Sequence, residues 1–244
     1  MKKTWHSLKN RMTAMLLALI CVLGLLPTTA LAAGADTIKL ERFGMSGVSY
    51  QSASLGRCTM HQMYYGVAGK TSVGFCGTKG GGMGTSLIGQ TWGDPKPVTD
   101  PTVKMMMAYY YAHSLGIFTD KAQALGVDDI WDSGYSWYMN AWVQAIVWRY
   151  KDGSLGDSAT ACAEELMYVW NSLKGASYTS IDQTCDGTTF RDRAKYILDL
   201  GKQDVWGDCD VKEYSFTGAG SAAHPASTVQ SVMIGSLTVT NEQY

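Results

Sequence analysis

Hydrophobic and polar positions alternate near both ends of the chain and recur at helical spacing through its middle. Thr37 to Phe43, Val48 to Ser52, Met60 to Val67 and Ser72 to Phe75 are short stretches rich in β-branched and aromatic residues, separated by glycines. That is the pattern of strands. Asp100 and Pro101 then supply an N-cap and a first-turn proline for a helix running through Met105 to Met107 and Tyr109 to Tyr111 to about Leu115. Further helices are predicted over Thr119 to Leu125, Ser136 to Tyr150, Ser158 to Leu173 and Thr189 to Leu200, each with a glycine at or just past its end. Alternation returns at Cys209 to Phe216 and between Thr228 and Thr240. Strands, then helices, then strands predict an α+β domain. Its β core is built from both ends of the mature chain, and a large helical insertion carries Gln144.

The ends of the chain change the picture of where it works. Lys2, Lys3, Lys9 and Arg11 precede an apolar run from Met12 to Leu26, and Ala30, Leu31 and Ala32 form a small-residue cleavage site. This is a secretory signal over residues 1–32, too short for a good membrane span. The mature protein is therefore expected outside the cell, with no membrane insertion after cleavage. Removing the four basic residues leaves 16 basic against 21 acidic ones, a net charge of −5. That balance argues against nucleic acid as a partner. The main domain is expected over residues 36–235, and Ser236 to Tyr244 begins a linker or a following domain.

One helix carries unusual chemistry. Trp137, Ala141, Gln144 and Trp148 share a stripe, since residues three and four apart lie on one face. A carboxamide among indoles needs partners for its oxygen and both amide hydrogens. On spacing alone, Gln144 caps a neighbouring backbone group. The methionine and tyrosine run of the first helix is most simply a buried face. The glycine-rich loop from Cys76 to Gly84 lacks the closing Gly-Lys-Ser/Thr of a phosphate cradle.

Five cysteines follow the cleavage site: Cys58, Cys76, Cys162, Cys185 and Cys209. An odd number outside the cell means one thiol does something other than pair within the chain. Two disulfides and one special cysteine, or five free thiols, both fit that count. No Cys-x-x-Cys occurs and His61, His113 and His224 are scattered, so neither a zinc site nor any other metal or cofactor is expected. Cys76 ends a strand and opens onto the glycine loop. Cys162 lies in the first turns of a helix, where a thiolate is electrostatically favoured.

Cys76 and Gln144 together carry a family resemblance. Phe75-Cys76 at the end of the first β region, and Val143, Gln144, Ala145, Ile146, Val147 and Trp148 on a later helix, resemble the thioester (TQxA) domains of Gram-positive surface adhesins and pilus tips. The order between them agrees: a glycine loop, Trp92-Gly93-Asp94-Pro95, then a tyrosine-rich helix ending at His113 to Gly116. Val143 stands where the pattern has Thr, Ile146 where it has Ala, and Gly77 follows the cysteine where Leu or Val often does. The resemblance covers Tyr64 to Tyr150 best.

The resemblance implies an internal thioester between Cys76 and Gln144, formed with loss of ammonia. It would react once with an amine or other nucleophile on a host or surface macromolecule. Such a domain is a single-use covalent binder, not a turnover enzyme, and stalk domains would follow it. Trp137, Trp142 and Trp148 would exclude water from the acyl group. His113, or Tyr109 to Tyr111, is a candidate for assisting proton transfer, although a buried, hydrogen-bonded His113 is the simpler view. Backbone N–H groups from Gly77 to Gly84 are candidates for polarising the carbonyl. Two other classes compete. A reversible protein- or glycan-binding module would be indifferent to Cys76→Ala. A cysteine hydrolase would pair Cys76 with His113 or His224 as base.

Overall fold

Strands from the two ends of the chain curl into one closed ring. The computed structural model describes residues 36–238 except 45–47, 53, 68, 80–82, 115–135, 204, 224 and 226–230. The signal segment, the Thr119–Leu125 helix, His224, Gly80 to Gly82, the Trp137 side chain and the tail after Thr238 lie outside the described residues. The strands are β1 (Thr37–Phe43), β2 (Val48–Ser52), β3 (Gly56–Met60), β4 (Met63–Val67), β5 (Lys70–Cys76), β6 (Thr91–Val98), β7 (Thr184–Cys185), β8 (Thr188–Thr189), β9 (Asp208–Phe216) and β10 (Ser231–Thr238). Six of them form a closed antiparallel barrel in the order β1-β4-β5-β10-β9-β6. The hairpins β2–β3 and β7–β8 stand apart from it.

This corrects the α+β expectation: the fold is mostly β, a closed six-stranded antiparallel barrel with four helices among the described residues. The strand that closes the ring is β6, which the sequence pattern passed over. Pro95 and Pro97 lie inside it, and proline cannot donate to a ladder. The chain accommodates them by a register shift between Gly93 and Lys96 in the pairing with β9. Asp94 takes φ 51 there, a left-handed conformation that Asp tolerates better than most residues. With β6 in place, β1 and β9 both gain a partner and the six-stranded ring closes.

The helices are α1 (Pro101–Ser114), α2 (Ser136–Lys151), α3 (Ser158–Lys174) and α4 (Phe190–Lys202). Asp100 Oδ1 accepts from the Val103 N–H at 2.9 Å, Asp157 caps α3 through the Thr160 N–H, and Thr189 caps α4 through the Asp192 N–H. Gly175, at φ 62, ends α3 in the left-handed conformation. None of the described helices is long and apolar enough to cross a membrane.

Two apolar cores result. One fills the barrel with Ile38, Leu40, Tyr65, Trp92, Tyr214 and Val232 among others, and Cys76 belongs to it. The larger joins the four helices, the β2–β3 hairpin and the barrel's outer face, and Phe75 belongs to that one. Adjacent residues of β5 thus face opposite cores, as strand alternation requires.

β5 is only partly paired on each side. It pairs with β4 from Lys70 to Gly74 and with β10 at Phe75 and Cys76. Two side chains complete its hydrogen bonds. On the β10 side, where the strands have diverged, the Tyr111 hydroxyl donates to the Val73 carbonyl at 2.7 Å and accepts from the Gly235 N–H at 3.0 Å. On the β4 side, beyond the end of β4, the Gln144 carboxamide does the equivalent at Cys76.

Candidate functional site

In an extended strand the N–H and C=O of one residue point to the same side. On β5 the Gly77 N–H turns toward β10 and donates to the Ser231 carbonyl at 2.9 Å. Cys76, one position earlier, turns its backbone groups the other way, where β4 no longer runs. Left alone, that buried N–H and C=O would each cost about 1–3 kcal/mol. Gln144 satisfies both. The Cys76 N–H donates to Gln144 Oε1 at 2.7 Å, and Gln144 Nε2 donates to the Cys76 carbonyl at 2.7 Å. Gln144 is therefore a backbone cap, and the residue it caps is Cys76 itself. Both side chains are buried.

This arrangement has chemical content. A donor on the carboxamide oxygen draws electron density from the carbonyl carbon, and an acceptor on the nitrogen holds the amide in one orientation. The Cys76 side chain leaves the strand out of the plane in which these hydrogen bonds lie. The donor on Gln144 Oε1 is the cysteine's own N–H; of the loop donors expected there, the Gly77 N–H goes to Ser231 instead, and Gly80 to Gly82 lie outside the described residues.

The Cys76 Sγ lies 3.1 Å from the Thr78 carbonyl, to which the thiol donates. Burial pushes the thiol up to about 11, against opposing hydrogen bonds from the Thr78 backbone and the Trp148 side chain. Trp148 stands one turn beyond Gln144 and Asn140 one turn before it, so the three share a face of α2. Trp148 Nε1, beside the Cys76 sulfur, and Asn140 Nδ2, beside the Tyr110 hydroxyl, are buried and make no hydrogen bond of regular geometry. Trp142 serves elsewhere: its Nε1 donates to the Cys162 carbonyl at 2.9 Å and its ring meets Tyr109 edge-on. Of the two described indoles expected to shield the site, Trp148 is the one beside the sulfur.

Gly77 is required by its neighbours. A Cβ there would stand 2.1 Å from Ser231 Oγ and 3.3 Å from Glu213 Oε1. The Leu or Val of the resembled pattern has no room at this position. Lys79, two residues on, donates its ammonium to the Leu55 carbonyl at the tip of the β2–β3 hairpin and so ties the loop after Cys76 to the helical core.

His113 is half-buried near the end of α1, and neither Cys76 nor Gln144 hydrogen-bonds to it. Tyr111 bridges β5 and β10, and burial pushes its phenol well up. The Tyr110 phenol, pushed up to about 12 by burial, accepts from Gln62 Nε2 at 2.6 Å. These tyrosines seat α1 on the barrel and do not touch the sulfur. Cys162, favoured by its helix position, is fully buried, and desolvation pushes its thiol well up. All five cysteines are buried and unpaired. Among the described residues no cluster of three His, Cys, Asp or Glu side chains is placed to hold a metal.

The sequence left several neighbours of the site unnamed. Asn140 was detectable, since it extends the Gln144–Trp148 stripe by one turn. Ser231 and Glu213 were not, because they reach Gly77 from strands far along the chain. Comparison of the chain with models of known protein families, with curated proteins and with solved structures finds no match in any of the three.

Proposed function

We propose that this is a secreted or surface-displayed domain that binds covalently through an internal thioester between Cys76 and Gln144. The single observation that supports it is the pair of hydrogen bonds between the Cys76 backbone and the Gln144 carboxamide, both 2.7 Å. It holds a cysteine and a polarised acyl group together in a buried, water-poor place, the two conditions such a bond needs.

In formation, Cys76 Sγ adds to Gln144 Cδ, the C–N bond breaks, and the thiol proton leaves with the nitrogen as ammonia. In use, an amine on a host or surface macromolecule adds to the same carbon, the C–S bond breaks, and an amide to Gln144 replaces it. The Cys76 thiol is regenerated but the acyl group is consumed, so each molecule acts once.

The intact mass of the purified mature domain tests this, with Cys76→Ala and Gln144→Ala alongside. The wild type should be lighter than its sequence by one ammonia and both variants should not. Methylamine should then add to the wild type and expose one thiol. A wild type at full mass after handling at neutral pH would end the thioester proposal and leave reversible binding as the reading to pursue.

A further inference from the structure

The indole of Trp148 is a buried donor with a specific neighbour. Its Nε1 finds no nitrogen or oxygen acceptor in regular geometry, although the side chain is more than nine-tenths buried. A satisfied indole elsewhere in the same core shows the ordinary solution, Trp206 Nε1 donating to the Ile197 carbonyl at 3.1 Å. Trp148 instead stands one helical turn from Gln144, whose carboxamide is bonded to the Cys76 backbone, and this sets the indole beside the Cys76 sulfur. A neutral thiol or a thioester sulfur is a weak acceptor, whereas a thiolate is a strong one. The donor is matched to a charge that exists only while the acyl bond is being made or broken.

We propose that the Trp148 indole N–H is the hydrogen-bond donor that stabilises the Cys76 thiolate as it leaves Gln144, so that this residue sets the rate at which the thioester reacts. The proposal rests on the thioester reading and names a catalytic group for it. When an amine adds to Gln144 Cδ, the C–N bond forms and the C–S electron pair passes to sulfur. The thiolate takes the indole hydrogen bond. The proton lost from the new amide nitrogen then reaches the sulfur, giving amide and thiol. The reverse assistance applies in formation, where the thiolate is the attacking group and its proton departs with ammonia. Among the described residues the other donor beside that charge is the Thr78 backbone. The other ionisable groups facing this place are the Tyr65 phenol, in the barrel, and Glu213, beside Gly77 and paired with Lys151 at 2.6 Å.

Donation to a charged partner contributes about ten- to hundredfold in rate. Trp148→Phe keeps the ring and removes the N–H. In that variant, methylamine cleavage of the preformed thioester should slow by about that factor. With Gln144→Ala added, the Cys76 thiol should titrate at higher pH than in Gln144→Ala alone, as followed by alkylation rate. A thioester present but cleaved at the wild-type rate, with the thiol titration unmoved, overturns the proposal while the thioester reading stands. Absence of the thioester from the wild type is a different result, visible in the mass before any rate is measured. If Trp148→Phe does not fold, the wild type decides. After methylamine treatment, the ¹⁵N–¹H resonance of the Trp148 indole should move downfield as Cys76 ionises at high pH. A resonance that stays in place overturns the proposal.

Discussion

Helix α2 carries two buried polar clusters, and they are built on opposite principles. Arg149, near its end, reaches Glu164 at 2.8 Å, Glu165 at 3.5 Å, and the carbonyls of Ala161 and Ser154. Glu165 is fully buried, with Ser52 Oγ donating at 2.7 Å and the Tyr50 hydroxyl at 3.3 Å. The two carboxylates share one guanidinium and Glu165 takes two hydroxyl donors besides, so each polar group here has a partner, and the result joins α2, α3 and the β2–β3 hairpin. Around Gln144 the accounting is uneven. The carboxamide is satisfied by Cys76, but the Trp148 and Asn140 donors stand beside the Cys76 sulfur and the Tyr110 hydroxyl without a hydrogen bond of regular geometry. A closed network holds a structure together; a network with spare donors is suited to charge that appears later.

The contrast can be tested most severely at Arg149. Arg149→Leu strands Glu165 without its cation in an apolar place, and should cost about 3–5 kcal/mol in urea unfolding. It should leave thioester formation intact in the molecules that fold. An equal loss of the cross-link would mean that the two clusters act as one.

Gly77→Ala should have a smaller effect, about 1–3 kcal/mol, because its Cβ would overlap Ser231 Oγ and the strand must move. Adding Ser231→Ala should recover much of the loss. No recovery would show that the backbone, not the hydroxyl, sets the limit.

The smallest effect is a pH dependence. Burial raises the folded Cys76 thiol from 9.0 to about 11, so the neutral form is the one the fold favours. Its contribution is fully present below pH 9 and is lost as pH rises through 11. By pH 10 the loss is about 1 kcal/mol, half of a shift of two pH units. Comparing urea unfolding of Gln144→Ala with that of Cys76→Ala/Gln144→Ala isolates it. Parallel pH curves for the two would place Cys76 in a more hydrated setting than its burial implies.

The helices were legible because local signals mark several of their ends: Asp100 and Pro101, Gly175 and Thr189, although Gly201, expected as a stop, lies inside the last turn of α4. The barrel was not, because closure depends on β6, whose two prolines weigh against any strand when read locally. The cysteine–glutamine proximity was anticipated through pattern, and the capping role of Gln144 through the needs of a buried amide. That the backbone Gln144 caps is that of Cys76 itself could not be read from spacing, since it depends on where β4 begins. Gly77 shows the same limit. Its reason is Ser231, more than half the chain away.

A consequence follows from Gln144 standing in for a missing strand. The carboxamide can meet Cys76 only after β5 has been laid into the barrel and α2 has docked across its end. The proposed cross-link, formed in this arrangement, would be a late, unimolecular event that does not depend on protein concentration. It also removes the amide nitrogen that held the Cys76 carbonyl, so the template is erased by the reaction it directs. The fraction of molecules carrying the bond would then serve as a permanent chemical record of how many chains had completed this corner of the fold.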